Sequence, residues 1–140
     1  MEAWVWSSDW GLASIDSNCL QWMAYTKFSG APVTFHKSNN PFWTPKSDLP
    51  VLNHNGQQFS TFNKVVKHLM DTNYSADFNF TPKQQSEVIA ITKLLEEKLY
   101  PALLYVFWLD TYNFAKLTRP WYARNMPFPM AFYYPVSKIF

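Results

Sequence analysis

Leu49-Pro50-Val51-Leu52, followed by Asn55-Gly56 and then Gln57-Gln58-Phe59-Ser60, is the stretch whose reading decides the fold. A proline stands immediately before a short apolar run, a two-residue turn reverses the chain, and a second short run returns. Asn-Gly tolerates the positive φ angles of a tight hairpin turn, so the stretch reads as two antiparallel strands. Pro50 has no N–H to give to a central ladder, but it can open a strand. X-Pro is also the peptide bond that takes the cis form most readily.

Upstream, Glu2-Ala3-Trp4-Val5-Trp6-Ser7 is rich in aromatic and β-branched residues and reads as a first strand. A loop, Ser8 to Ala13, leads to a helix capped by Asp16 or Ser17, with Leu20, Met23, Ala24 and Phe28 at helical spacing. Gly30 suits the position just past that helix, and Pro32 prevents continuation. Pro32 to Lys37 is a second strand, and Ser38 to Asp48, with Asn39, Asn40, Pro41 and Pro45, is a loop. Beyond the hairpin, Ser60 or Thr61 caps a helix whose apolar positions are Phe62, Val65, Val66, Leu69 and Met70. The order is strand-helix-strand, then strand-strand-helix. The crossover implies a parallel pair and the hairpin an antiparallel one. Residues 1–73 therefore read as a thioredoxin-like α/β domain, the arrangement that begins a glutathione transferase. In that fold the backbone beside the proline pairs with a bound thiol peptide such as glutathione.

After a polar linker, Thr72 to Asp77, the pattern becomes wholly helical. Thr81-Pro82-Lys83-Gln84 is a capping box with proline at the first helical position. Val88, Ile91, Leu95 and Leu99 run down one face, and Leu103, Leu104, Phe107 and Trp108 carry it on. Pro101 removes the hydrogen bond to Glu97 and is expected to kink the helix. Arg119-Pro120 is expected to break it, and Pro127 and Pro129 the next segment. Residues 81–140 thus read as an all-α, glutathione-transferase-like second part. It is expected to be truncated, because the chain stops at Phe140 after one long helix and part of another. The aromatic stretch Met126 to Pro135 reads as the interior of something continued or covered, which points to a fragment, a short isoform or an obligate partner.

Composition narrows the function classes. Of 140 residues only 16% are charged while 19% are aromatic, a balance that excludes disorder and favours leftover apolar surface. Net charge is +2, and the Lys and Arg residues are scattered, so nucleic-acid binding has no basic stripe to use. Cys19 is the one cysteine, which leaves no internal disulfide or cysteine metal site and favours a reducing compartment. Met1 to Trp10 carries Glu2 and Asp9 and no basic residue, unlike a signal or transit peptide. The longest apolar run, Leu99 to Leu109, is too short to span a bilayer.

Chemistry has few candidates. A glutathione transferase activates the thiol with a hydroxyl or thiol near the end of its first strand, where Ser7, Ser8 and Ser14 stand here. The same residue types serve as turn and cap residues. The helix after the hairpin should begin with an acidic or amide residue and Ser/Thr to hold the γ-glutamyl group. The sequence offers Thr61-Phe62, and Phe62 cannot bond a carboxylate. Cys19 has no Cys-x-x-Cys partner and reads as a buried structural residue. His36, His54 and His68 share no ligand spacing, so no metal or cofactor is expected. Glu96-Glu97 reads as a solvated helix face. The aromatic group Phe107, Trp108, Tyr112, Trp121 and Tyr122 fits a core or an interface better than a ligand pocket.

The chain also resembles the metaxins, in particular the metaxin 1 and metaxin 3 branch. The matching pieces are Trp10-Gly11-Leu12 with Ser14 and Asp16, Tyr25, Phe28-Ser29-Gly30-Ala31-Pro32, Tyr74 and Ala76-Asp77. They continue with Leu94-Leu95-Glu96-Glu97-Lys98-Leu99 and Pro101, Phe107-Trp108, Trp121-Tyr122 and Pro127-Phe128-Pro129. The resemblance implies a glutathione-transferase-like protein that has lost the enzyme and sits peripherally on the cytosolic face of the mitochondrial outer membrane. It implies a second metaxin and subunits of the sorting and assembly machinery as partners in protein import and β-barrel insertion. An adaptor role in mitochondrial transport is also implied. The expected partner-binding residues are Leu99, Leu103, Phe107, Trp108, Trp121, Tyr122, Phe128 and Phe132. The alternative is a glutathione-dependent transferase using Ser7 or Ser8.

Overall fold

The computed structural model describes residues 1–44, 46 and 48–137, with side chains to residue 135. Pro45, assigned from the sequence to a loop, and the last three residues of the expected helical part lie outside the described residues. The chain divides into two compact units, Met1–Asn79 and Phe80–Phe140.

The first unit holds β1 (Glu2–Val5), α1 (Ser17–Phe28), β2 (Thr34–Lys37), β3 (Val51–His54), β4 (Gln57–Phe59) and α2 (Phe62–Asp71). Its four strands are ordered β2-β1-β3-β4. β1 runs parallel to β2, with Glu2 opposite Thr34, and antiparallel to β3, with Ala3 opposite Leu52. β3 and β4 form the hairpin, with Leu52 opposite Phe59. Asn55 and Gly56 both have positive φ, as a tight reversal demands. The Leu49–Pro50 bond is cis, and Pro50 sits just ahead of β3, where it spares the ladder. Ala3, Trp22, Leu52, Val65 and Leu69 form the core between sheet and helices.

Asp16 caps α1, its carboxylate accepting from Cys19 N at 2.9 Å. The apolar row expected to face the core, Leu20, Met23, Ala24 and Phe28, does not do so. The buried positions of α1 are Cys19, Trp22 and Thr26. Trp22 brings more apolar area inward than any of the four. Thr26 can follow because its hydroxyl donates to Trp22 O at 2.9 Å, leaving no orphaned polar group.

The second unit is helical. Thr81 and Gln84 make both bonds of the capping box at the start of α3 (Pro82–Leu94). A π-helical turn, Leu95–Leu99, leads into α4 (Tyr100–Leu104), and another, Tyr105–Leu109, ends at Asp110. Then come α5 (Thr111–Asn113), a third π-helical turn, Phe114–Thr118, α6 (Arg119–Asn125) and α7 (Met130–Ser137). Arg119-Pro120 does not break the helix as expected. A proline ring clashes with the carbonyl four residues back. For Pro101 that residue is Glu97 and for Pro120 it is Lys116, and each lies in a widened π turn that gives the ring room. The break falls instead at Asp110, whose extended ψ of 114° ends one run. Its carboxylate accepts from Asn113 N at 2.8 Å and starts the next. Among the described residues no helix is long and apolar enough to cross a membrane.

Candidate functional site

The carboxyl ends of β1 and β2 and the start of β3 meet at one end of the sheet, where a thiol peptide would bind. Each of the three serine hydroxyls already has a hydrogen-bond partner, although Ser8 is exposed. Ser7 Oγ donates to Asn39 Oδ1 at 2.6 Å, and Ser8 Oγ accepts from Lys37 Nζ at 2.8 Å. Ser14 is fully buried, and its Oγ accepts from Asp16 N at 3.4 Å. Thr61 stands at the N-cap of α2 but its side chain makes no capping bond. Phe62 turns inward and meets the Tyr25 ring edge-on at 5.6 Å. Phe62 therefore packs toward the core and offers no polar group for a γ-glutamyl contact. Cys19 is buried, and desolvation, followed by the Asp16 charge, pushes its thiol far above the ordinary range. Its neutral form is inert as a nucleophile.

Among the described residues no group of three or more His, Cys, Asp or Glu is placed to hold a metal. The structure does join two histidines that share no sequence spacing. His54 Nδ1 and His68 Nε2 lie 2.8 Å apart, and His68 stacks on Phe59 with centroids at 4.4 Å. The signal for this pair was strand parity: His54 shares the face of Leu52, and His68 precedes the buried Leu69 on the helix above.

The helical unit presents a different surface. Its core is built around α6 and α7: Trp121, Tyr122 and Ala131 on the helices, and Met126 at the end of α6, are buried. Tyr122 meets Trp108 at 5.4 Å, Trp121 at 5.0 Å and Tyr134 at 5.4 Å. Thr118, also buried, donates its hydroxyl to Phe107 O at 2.8 Å and ties the third π turn to the second. The eight residues expected to meet a partner thus fall into three sets. Trp121 and Tyr122 lie inside, at 3% and 6% exposure, while Leu99, Phe128 and Phe132 are 49%, 83% and 62% exposed. Leu103, Phe107 and Trp108 are half-buried between them. The segment α3 buries no residue at all, and its apolar row of Val88 and Ile91 is exposed, as are Leu95 and Leu99 beyond it.

The geometry is that of a mixed α/β unit with its serines engaged, joined to a helical unit with an uncovered apolar row. Residues 19–138 match the family model Tom37, described as outer mitochondrial membrane transport complex protein. Metaxin-1 of Mus musculus is 41% identical over 136 residues, 96% of this chain and 43% of the relative. Metaxin-1 of Homo sapiens is 42% identical over 136 residues, 96% of this chain and 29% of the relative. Metaxin-3 of Xenopus laevis is 39% identical over 135 residues, 96% of this chain and 44% of the relative. The chain belongs to the metaxin family of outer mitochondrial membrane transport complex proteins. It spans less than half the length of these relatives.

Proposed function

We propose that this chain is a non-catalytic metaxin-like subunit of the mitochondrial outer-membrane sorting and assembly machinery. It acts in protein import and β-barrel insertion through protein–protein contacts, and the same surface suits an adaptor in mitochondrial transport. Its partners are a second metaxin and subunits of that machinery, met peripherally on the cytosolic face. Residues 1–73 are its thioredoxin-like domain, and 81–140 a partial glutathione-transferase-like helical domain.

The observation that carries this reading is the apolar row Val88, Ile91, Leu95 and Leu99, exposed on a segment that buries nothing of its own. Leu103, Phe107 and Trp108 continue it, and Phe128 and Phe132 add exposed rings. Trp121 and Tyr122 serve from inside, fixing the ring of Trp108. Exposed apolar area on this scale is costly unless something covers it. The engaged serines and the ring of Phe62 weigh against the glutathione-dependent alternative.

The test is co-purification of the chain with a second metaxin, followed by the double variant Leu95→Glu, Leu99→Glu. Stable co-elution lost in the variant supports the reading. A chain that stays monomeric and indifferent to the second metaxin overturns it.

A further inference from the structure

An apolar groove of about 490 Å³ runs between α1 and β2, lined by Leu20, Met23, Ala24, Lys27, Val33 and Phe35. It is what the misplaced row of α1 does: Leu20, Met23 and Ala24 miss the core and face the groove instead. β2 is the terminal strand of the sheet. Thr34 N donates to Met1 O at 3.0 Å and Ser38 N to Val5 O at 2.9 Å, so the even positions turn their backbone toward β1. Strand alternation then turns the N–H and C=O of Phe35 and Lys37 toward the free edge. A row of backbone donors and acceptors therefore runs beside an apolar trough, with the Phe35 side chain lying in the trough.

We propose that this edge is a strand-addition site that captures an extended peptide segment of a partner protein, with apolar residues at alternate positions and acidic flanks. Only an extended chain can pair with the Phe35 and Lys37 backbone while sending every second side chain into the groove. The charges select the flanks. Lys27 lines the groove and Lys37 stands at the strand end, both exposed, and α1 carries no acidic residue in its first turn. The same lysines disfavour a second copy of this chain, since edge-to-edge pairing would bring basic strands together.

The test uses the full 140-residue chain, ¹⁵N-labelled. The probe is a pool of seven-residue peptides, Asp-Φ-Thr-Φ-Thr-Φ-Asp, where Φ is Val, Leu or Phe. At millimolar peptide, exchange of the Phe35 and Lys37 amides should slow about tenfold or more, with the amides of the opposite edge strand, β4, unchanged. N-methylation at alternate peptide positions should abolish the effect in one register and spare it in the other. Met23→Glu, which keeps the Trp22 core contact, should weaken binding about tenfold with an unchanged amide spectrum elsewhere. No slowing at Phe35 and Lys37 with any peptide of the pool overturns the proposal. So does equal loss from both methylation registers, unchanged binding by Met23→Glu, or concentration-dependent protection without peptide, which would make a second copy the occupant.

Discussion

Cys19 lies under the first turn of α1 with no exposed surface, and its backbone N–H is already spent on the Asp16 cap. The cap that starts the helix also places a carboxylate beside the thiol, and both burial and that charge oppose ionisation. A disulfide reagent at pH 8 should therefore modify native chain on the order of 100-fold more slowly than chain unfolded in guanidinium. Equal rates would mean the thiol is open. The His54–His68 pair makes the opposite prediction, of sensitivity. Burial and then the His54 charge lower the His68 pKa, while Asp71 opposes them. The folded state thus prefers neutral His68, and the stability this gives is full above the ordinary value near 6.5. It is lost as pH falls through that value toward the lowered one. The melting temperature should drop between pH 7.5 and 5.5, and His68→Gln should flatten that slope. A variant with the parent's pH profile would remove the pair from the account.

At the scale of elements, α2 and α3 are opposites. Val65 and Leu69 of α2 are buried against the sheet. Leu69→Ala should cost about 2–5 kcal/mol by denaturant unfolding, the range for a core leucine that leaves a cavity. Leu95, in the π turn that extends α3, is half exposed and meets no core. Leu95→Ala in the isolated chain should stay within about 0.5 kcal/mol of the parent. The capping box at Thr81 holds α3 by local bonds alone, and Thr81→Ala should lower stability by about 1 kcal/mol, read as lost helicity. This contrast also explains what the sequence made legible. Short-range rules sufficed for the Pro50 hairpin, the Asp16 cap and the Thr81 box, because each is settled within four or five residues. Which face of α1 lies inward was not legible, since it depends on how Trp22 meets Leu52 and Val65, far away in the chain. The break expected at Pro120 failed for the same kind of reason. A proline forbids one hydrogen bond but does not forbid the wider turn that avoids the clash. Of the candidate surface, the row on α3 was legible as a period, and its exposure was not.

For the whole molecule, the two units differ in how each holds itself together. The first has a sheet, two helices and a closed core around Leu52 and Leu69. The second gathers its buried residues from Thr118 onward and leaves the long run from Pro82 to Leu104 without one. Most helical stability in a protein comes from burying an apolar face rather than from propensity. Local stability follows local burial, so the free chain should show two classes of amide. Leu52 and Leu69 should exchange near the global unfolding rate, and residues 85–104 at least about 100-fold faster. If the row from Val88 to Leu99 meets a partner as proposed, a saturating second metaxin should slow the 85–104 class and leave Leu52 and Leu69 little changed. Binding then completes a core, and the ordering it imposes lowers the affinity that the contact area alone would give. Slow exchange across 85–104 in the free monomer would sink this argument, because the helix would be stable without its covering. Protection confined to the β2 edge would place the partner on the other unit.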